Sequence, residues 1–330
     1  MSFQKDMLII KGDDNIKDLF SEADGTAVTI GKFDCIHRGH KKIISALKKK
    51  EQEGLHSLVF TFSGSPRIVL HGEDRFKGRN LITSEERISV LEGQGVDFLF
   101  EKRFDREFMN MSAEDFVRFL VEKLKMRYIA VTKEFRFGKE NKGSALLLQE
   151  FSSKYGFELE VISLLKNMDG TVISSSLIRE SLKEGRVDFV NEMLGYEYFI
   201  MGRIVRGMGM GKRKLSYPTI NMLPPDEKLL PKVGVYVTRV EVGNKSYYGM
   251  TDIGVKPTVN LPEGERRITA ETHIFDFSGY IYDETAKVSF LYFLREEEKF
   301  PDLSTLQKQI TQDEKNARAW IRSDKGGGAL

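Results

Sequence analysis

Two histidines stand three positions apart in the stretch VTIGKFDCIHRGHKKII, which begins at Val28, although the 330 residues contain only five histidines. The apolar run that ends at Ile30 predicts a buried strand, and the residues after Gly39 predict a helix. His37 and His40 therefore stand at the start of that helix, where unpaired backbone N–H groups and a partial positive charge favour a phosphate. Two imidazoles at this place could donate hydrogen bonds to phosphate oxygens as negative charge develops on them.

Three interpretations of the pair stay open on its spacing alone: a phosphate site, a metal site, and a structural pair that caps a turn. Gly31 and Gly39 would let the backbone approach a phosphate closely, which favours nucleotide chemistry. A metal site usually needs a third ligand, and Asp34 is the nearest candidate along the sequence. Because Cys35 is the only cysteine, we expect neither an internal disulfide framework nor a cysteine-based zinc site.

Two further stretches of the first half have residue types that suit a nucleotide. In VTKEFRFGKENKG (131–143), aromatic residues alternate with Arg136 and then meet Gly138, an arrangement that suits a planar base or a half-buried strand edge. In ISSSLIRE (173–180), consecutive serines precede Arg179 by about one helical turn. Such serines are ordinary helix caps, and with the arginine they also make a phosphate cradle.

The second half contains a glycine-rich basic stretch, GRIVRGMGMGKRKLSYPTINM (202–222). Three glycines followed by basic residues suggest a loop over a polyphosphate, and the stretch lacks the P-loop pattern. Just beyond it, Thr219 and Asn221 offer hard oxygen ligands of the kind that Mg²⁺ takes beside nucleotide phosphates. Each piece alone is equally consistent with a β-turn.

A candidate general base lies in TAETHIFDF (269–277). Strand periodicity places Glu271, His273 and Phe275 on one face. A carboxylate on a strand near a magnesium–nucleotide site could accept a hydroxyl proton in phosphoryl transfer. Taken alone, Glu271 is more commonly explained as an exposed glutamate on a strand with no catalytic role.

The elements that must position these residues divide the chain in two. Up to about residue 185, apolar runs alternate with helical patterns, which predicts a parallel sheet covered by helices. From Tyr198, short β-branched and aromatic runs separated by Gly, Pro and Asn predict an antiparallel sheet or barrel, closed by a helix over 302–321. The predicted strands of the first half are 25–31, 56–62, 96–102 and 126–132, and its helices are around 39–50, 83–95, 112–125 and 175–185. One more short helix is predicted just beyond it, over 187–195.

Composition limits the class of protein. Hydrophobic residues make up 40% and charged residues 30%, which is typical of a globular protein. The formal net charge of +2 gives no general argument for nucleic acid or an anionic membrane as a partner. No apolar run approaches the roughly 20 residues of a spanning helix, and no signal segment is evident, so we expect a cytoplasmic location.

In this order, the motifs resemble the bifunctional bacterial riboflavin kinase/FAD synthetase family over nearly the whole chain. The first half contributes GKFDCIHRGH, LITSEERISVLEGQGVDFLF, RFDREFMNMSAEDFV, EFRFG and SSSLIRE. The second half contributes YPTINM, GVYV, IGVKPTV, ETHIFDF and FLREEEKFPDLSTLQKQITQD. The resemblance implies an α/β Rossmann-like nucleotidyltransferase domain over 1–185 and a riboflavin kinase domain over 186–330, the latter an antiparallel β-barrel with a long C-terminal helix.

The resemblance also implies two activities with separate residues. The second domain would move the γ-phosphoryl of ATP to riboflavin to give FMN, with Glu271 as general base and Thr219 and Asn221 at Mg²⁺. The first would adenylylate FMN to FAD and release pyrophosphate, with His37 and His40 stabilising phosphate charge.

The family pattern carries further residues over to this chain. Arg179 is implied as a further catalytic residue. The implied substrate contacts are Gly31, Phe33, Asp34, Gly39, Phe137, Ser175, Ser176, Gly207, Gly211, Lys212, Pro218 and Arg295. The expected ligands are ATP, Mg²⁺ and a flavin as riboflavin, FMN or FAD, without nucleic acid or membrane, in a monomer or weak homo-oligomer.

Several positions depart from the usual family pattern. Gly64 and Ser65 replace a Pro-His pair, Thr132 and Glu134 replace a Gly-x-Asp, and Asp252 replaces an asparagine. Most departures fall in the first half. Two alternatives therefore stay open: a riboflavin kinase with impaired or absent adenylyltransferase activity, and a flavin-binding regulatory protein.

Overall fold

A computed structural model gives the structure of the protein and describes residues 6–12, 25–63, 80–205, 219–257 and 266–323. The described residues form two compact units. The first contains the described residues before position 64 together with Ser84–Ser175, and the second contains 80–83 and the described residues from 176 onward. The functional boundary at residue 185 stays a prediction.

The first unit is built on a six-stranded sheet in which every neighbouring pair is parallel, as the alternating pattern predicted. The strand order is β1-β4-β3-β2-β5-β8. The strands are β1 Leu8–Lys11, β2 Thr26–Ile30, β3 His56–Ser63, β4 Phe98–Arg103, β5 Met126–Thr132 and β8 Glu158–Ile162, with a short hairpin of β6 Arg136–Phe137 and β7 Gly143–Ser144.

The central strand β2 is buried at all five positions, which explains why TAVTI reads as a continuous apolar run rather than an alternating one. The helices of the described chain before the barrel are α1 Arg38–Lys49, α2 Ser84–Glu92, α3 Arg106–Asn110, α4 Ala113–Lys123, α5 Ala145–Tyr155, α6 Ser175–Lys183 and α7 Val187–Leu194. Ser112 caps α4, because its hydroxyl accepts the backbone N–H of Asp115.

The strand order creates a crevice. The chain passes from β2 to β3 and β4 on one side, and then to β5 and β8 on the other. Adjacent parallel strands whose connections leave in opposite directions open a crevice at their carboxyl ends, where α/β proteins bind ligands. In this sheet those ends are Ile30 of β2 and Thr132 of β5.

The second unit contains a closed barrel of six strands, paired antiparallel throughout, which confirms the predicted architecture. Its order is β10-β13-β12-β11-β14-β9. The strands are β9 Tyr198–Val205, β10 Ile220–Met222, β11 Gly234–Val242, β12 Lys245–Pro257, β13 Arg266–Ile274 and β14 Thr285–Arg295. Thr238, Thr251 and Thr272 are buried and joined by two hydroxyl–hydroxyl hydrogen bonds of 2.8 Å.

A short segment at residues 80–83 belongs to this second unit although it lies early in the chain. The backbone of Asn80 exchanges hydrogen bonds with Glu227 and Leu229. The carbonyl of Leu81 accepts hydrogen bonds from the hydroxyl of Tyr198 at 2.9 Å and from the buried ammonium of Lys228 at 2.8 Å. The barrel unit is therefore discontinuous in sequence.

The final helix, α8 Leu303–Arg322, begins at Asp302, whose carboxylate accepts the backbone N–H of Thr305 at 2.7 Å. Its apolar side packs on β11, β12 and β14 through the cluster Val235, Val237, Met250, Phe275, Leu291 and Ala317. Among the described residues, no helix is both long and apolar enough to span a bilayer.

One ion pair ties this helix to the barrel. The guanidinium of Arg295, at the end of β14, donates to both carboxylate oxygens of Asp313 at 2.8–3.1 Å, and Gln309 donates to the same carboxylate at 2.9 Å. Asp313 is buried. Because a buried charge without its partner is costly, the pair fixes where α8 packs.

Asp313→Ala should lower the free energy of unfolding of the barrel by about 3 kcal/mol or more, since it leaves the Arg295 charge largely buried and uncompensated. Urea unfolding followed by the fluorescence of Trp320, the only tryptophan, measures this, because Trp320 lies on α8 and stacks on Tyr292 at 5.5 Å. The control is Glu140→Ala in an exposed pair with Lys142, which should leave the transition unchanged. Equal midpoints for both variants would contradict the assignment.

Candidate functional sites

A cavity of about 310 Å³ lies at the carboxyl ends of β2 and β5, where the strand order predicts a ligand site. Its walls combine the loop after β2, the start of α1, the segment after β5, and residues 162–165 and 172–175. Lining residues that the sequence singled out are Gly31, Phe33, His37, Gly39, His40, Thr132, Glu134 and Ser175.

The loop from β2 to α1 contains two residues in unusual backbone conformations. Phe33 has φ +46° and Ile36 has φ +41°, and both side chains are buried. A positive φ is uncommon for any residue other than glycine, and for the β-branched Ile36 it is costly. Strain of this kind persists only where the surroundings enforce it, and it concentrates at functional sites.

The histidine pair is both a helix cap and part of the cavity wall. His37 is the N-cap of α1, and its Nδ1 accepts the backbone N–H of His40 at 3.4 Å. The two imidazole rings stack with 3.9 Å between their centroids, and the ring of Phe33 lies 5.0 Å from the ring of His40. The structural and the phosphate-binding interpretations of the pair are therefore compatible.

Gly39 lies directly against the His37 ring. A Cβ at position 39 would lie 3.0 Å from both Nδ1 and Cε1 of the His37 ring, closer than side chains normally approach. The glycine between the histidines thus makes room for an imidazole.

Burial keeps both imidazoles neutral. It lowers the pKa of His37 to about 4 and that of His40 to about 3, with the nearby His37 charge as a smaller cause for His40. A neutral His37 whose Nδ1 accepts a hydrogen bond must have its proton on Nε2. That nitrogen is then a hydrogen-bond donor at neutral pH without a net charge.

Of the other contacts predicted near the histidines, only some line this cavity. Ser175 lines it, and its Oγ lies 3.3 Å from the sulfur of Cys35. Ser176 is exposed and Arg179 half-buried further along α6. Asp34 is buried and forms an ion pair of 3.8 Å with Lys32 rather than lining the cavity.

Phe137 lies in the hydrophobic core rather than at the cavity. Its ring packs against Phe116 at 5.7 Å and stacks on Phe135 at 5.5 Å. Phe135 is the aromatic residue of this motif that lines the cavity. Gly138 has φ +69°, and a Cβ there would lie 2.8 Å from the backbone of Ala113, so the motif's glycine is needed for close packing.

The sequence argument missed two contributors to this site. Phe135 follows the carboxyl end of β5, so the crevice rule could have identified it. Cys35 served only as a reason to expect neither a disulfide framework nor a cysteine-based zinc site, yet its sulfur and one ring nitrogen each of His37 and His40 lie within 4.8 Å of one another. No sequence signal indicated that the turn at Ile36 would bring the sulfur back to the histidines.

The second candidate site lies on the barrel. The hydroxyl of Thr219 donates to the carboxylate of Glu271 at 2.6 Å. Asn221 of β10 is the cross-strand partner of Glu271, and Asp252 of β12 is its partner on the other side. The predicted alternation is confirmed within β13, because Ala270, Thr272 and Ile274 are buried while Glu271 and His273 are partly exposed. It is wrong for Phe275, which follows the end of the strand and is buried in the cluster under α8.

Arg295 is engaged in packing rather than open to a ligand. Besides its bonds to Asp313, its Nη1 donates to the carbonyl of Glu296 at 2.8 Å. The adjoining chain approaches β12 closely, since a Cβ on Gly254 would lie 2.8 Å from the Glu297 carboxylate. The remaining predicted contacts, Gly207, Gly211, Lys212 and Pro218, lie outside the described residues.

Comparisons with known proteins match each half to a different family model. Residues 19–177 match the model for FAD synthetase, and residues 194–321 match that for riboflavin kinase. A protein of Escherichia coli strain K12 named bifunctional riboflavin kinase/FMN adenylyltransferase is 32% identical over 318 residues, covering 96% of this chain and 98% of the relative. The chain belongs to the bifunctional riboflavin kinase/FMN adenylyltransferase family.

Two further matches agree with this assignment in extent. A protein of the same name from Haemophilus influenzae is 32% identical over 306 residues, covering 91% of this chain and 95% of that protein. A crystal structure described as a macrolide-efflux protein from Streptococcus pneumoniae has a TM-score of 0.84 at 28% identity, covering 95% of this chain and all of that one. The flavin-kinase and adenylyltransferase halves thus occur together in chains of this length.

The low pKa values of the two histidines should make the adenylyltransferase half less stable in acid. Unfolded histidine titrates near 6.5, so between that pH and about 4 the unfolded chain binds protons that the folded chain does not. This contribution to stability is complete above pH 6.5 and decreases as the pH falls. Thermal unfolding of the His37→Gln/His40→Gln double variant between pH 7.5 and 5 should show a smaller drop in Tm than the wild type.

The variant also loses the helix cap that His37 provides, which lowers its Tm by a similar amount at every pH. Because the test compares how Tm changes with pH, this constant difference does not affect the result. Parallel curves for the two proteins would show that the imidazoles are not buried in neutral form.

Proposed function

We propose that this chain phosphorylates riboflavin to FMN with ATP and then adenylylates FMN to FAD with release of pyrophosphate. The observation that supports it is that each family-matched half has its own site of suitable chemistry. A neutral histidine pair lines a cavity at the carboxyl end of the parallel sheet in one half. A hydrogen-bonded carboxylate stands beside hydroxyl and amide oxygens in the other.

In adenylyl transfer, a phosphate oxygen of FMN attacks the α-phosphorus of ATP, and pyrophosphate leaves. The Nε2–H of His37 and a ring N–H of His40 donate to the phosphate oxygens whose charge increases in the transition state. Ser175, which lines the same cavity, binds a phosphate through its hydroxyl. No covalent intermediate with the protein is needed, because positioning and charge stabilisation supply the rate enhancement.

In the kinase reaction, the carboxylate of Glu271 accepts the proton of the ribityl 5′-hydroxyl as that oxygen attacks the γ-phosphorus. The hydroxyl of Thr219 holds the carboxylate in one orientation through its 2.6 Å hydrogen bond. Beside this carboxylate, Thr219 and Asn221 offer a hydroxyl and an amide oxygen, ligands of the kind that suits Mg²⁺. The ion would neutralise charge on the transferring phosphates.

The proposal assigns residues 1–185 to adenylyl transfer and 186–330 to the kinase, with ATP and the flavins as small-molecule substrates. The oligomeric state, a monomer or weak homo-oligomer, and the cytoplasmic location stay predictions. The efflux function in the name of the pneumococcal structure is not carried over, because both family models and the curated relatives name flavin chemistry.

Glu271→Gln should lower the rate of FMN formation by about 10²–10⁴-fold, the usual contribution of a general base, and leave conversion of supplied FMN to FAD intact. The assay supplies ATP and Mg²⁺ with riboflavin or FMN and separates the flavins by chromatography. Glu241→Gln is a matched control, because it makes the same change on β11 of the same barrel but away from the site. Val235 of β11 is level with Asp252, and Glu241 lies six residues further along that strand. Loss of both steps in Glu271→Gln would contradict separate sites.

His40→Ala should do the reverse and lower FAD formation by about 10²-fold or more while FMN formation continues. His56→Ala removes an imidazole from the opposite, amino end of β3 in the same unit and should leave both steps unchanged. If the wild type makes FMN and no FAD, the alternative of an impaired adenylyltransferase replaces the bifunctional proposal. If it makes neither, the flavin-binding alternative does.

A further inference from the structure

We propose that Cys35, His37 and His40 bind a thiophilic divalent transition-metal ion, of which Zn²⁺ is representative, and that this ion inhibits adenylyl transfer. Binding is independent of the proposed function of that half, whereas inhibition depends on it. This metal site differs from the expectation that a single cysteine leaves no cysteine-based zinc site. One sulfur and two imidazoles already make a three-ligand set of the kind found in open zinc sites.

The distances support such a site. One ligand atom from each of the three residues lies within 4.8 Å of the other two. Zn–S and Zn–N bonds of about 2.3 and 2.1 Å place two ligands of a tetrahedral ion about 3.6 Å apart. No two of these atoms therefore have to approach by more than about 1 Å, a change on the scale of small side-chain rotations.

A second observation is independent of these distances. The Nδ1 atom of His40 is buried and has no hydrogen-bond partner among the described residues. Buried polar atoms are nearly always satisfied, and an exception calls for an explanation. A ligand or ion held at the cluster would provide the missing partner.

The surroundings of the sulfur favour a metal-bound thiolate. Cys35 is buried, and the hydroxyl of Ser175 lies 3.3 Å from its sulfur. That hydroxyl can donate to a thiolate, the kind of outer contact that orients metal ligands. On binding, the thiol loses its proton to solvent and the sulfur bonds to the ion, while each neutral imidazole contributes a lone pair.

Metal and phosphate would exclude each other. A ring nitrogen donates to phosphate only when it carries a proton, and it ligates a metal only through its lone pair. Nδ1 of His37 already accepts the backbone N–H of His40, so His37 can bind a metal only through Nε2. Metal-bound His37 therefore loses the Nε2–H donor that adenylyl transfer uses. Mg²⁺ prefers oxygen ligands, so the ion that the kinase reaction needs does not occupy this sulfur–nitrogen set.

Binding is tested with Co²⁺, which reports its ligands spectroscopically, on the full chain without nucleotide. A thiolate-to-Co²⁺ charge-transfer band should appear together with the visible bands of a tetrahedral site. Because Cys35 is the only cysteine, such a band identifies it as a ligand. Cys35→Ser should abolish the band, and His40→Gln should weaken Co²⁺ affinity by more than about tenfold, whereas His56→Gln should change neither.

Inhibition is tested by adding Zn²⁺ to FMN or riboflavin with ATP and excess Mg²⁺. Zn²⁺ should inhibit FAD formation at concentrations that leave FMN formation unaffected. Inhibition of each protein is measured relative to its own rate without Zn²⁺, and the half-inhibiting concentration should be more than about tenfold higher for Cys35→Ser than for the wild type. Adenylyl transfer without a charge-transfer band in the folded wild type overturns the site. A band with equal inhibition of wild type and Cys35→Ser overturns the inhibitory role. A band without any adenylyl transfer supports the site and refutes the proposed function instead.

Discussion

The architecture of the adenylyltransferase half depends on one turn. Between Ile30 and Arg38 the chain must leave a fully buried strand, reverse, and begin a helix with an imidazole as its cap. It does so through two positive-φ residues whose side chains are buried, so the cost of the conformation is offset by packing. Cavity, helix start and histidine stack all follow from that turn.

The barrel reaches a site by a different principle. There, register rather than a strained loop brings the groups together, because Asn221, Glu271 and Asp252 are level on three adjacent strands. A slip of one residue in either pairing would send Glu271 to the interior and Thr272 outward. The buried threonine hydroxyls oppose such a slip, since each needs a hydroxyl partner at its own level.

Much of this could be predicted from the sequence. Strand β5 coincides with the predicted 126–132, because it is a mostly apolar run. Strand β9 begins at Tyr198, where the antiparallel half was predicted to begin. The face carrying Glu271 followed from period-two alternation. Strand order and closure of the barrel are set by contacts between distant segments, and local patterns do not encode them.

The same distinction explains the site residues. His37, His40 and Glu271 have residue types that signal chemistry, and each lines or faces a candidate site. Phe137 shares a motif with Phe135, yet which ring faces the cavity depends on the hairpin of β6 and β7. Arg295 carries the charge of a ligand contact, and only the three-dimensional structure shows that Asp313 neutralises it.

The segment at residues 80–83 has a consequence for how the chain is made. Synthesis proceeds from the N-terminus, and domains commonly fold as they emerge. The Leu81 carbonyl finds its partner hydroxyl on Tyr198 only 117 residues later and the Lys228 ammonium 147 residues later. Residues 80–83 therefore leave the ribosome long before the barrel residues that bind them. They stay unpaired until the barrel has been made, so folding of the kinase half uses a segment that is synthesised within the adenylyltransferase half.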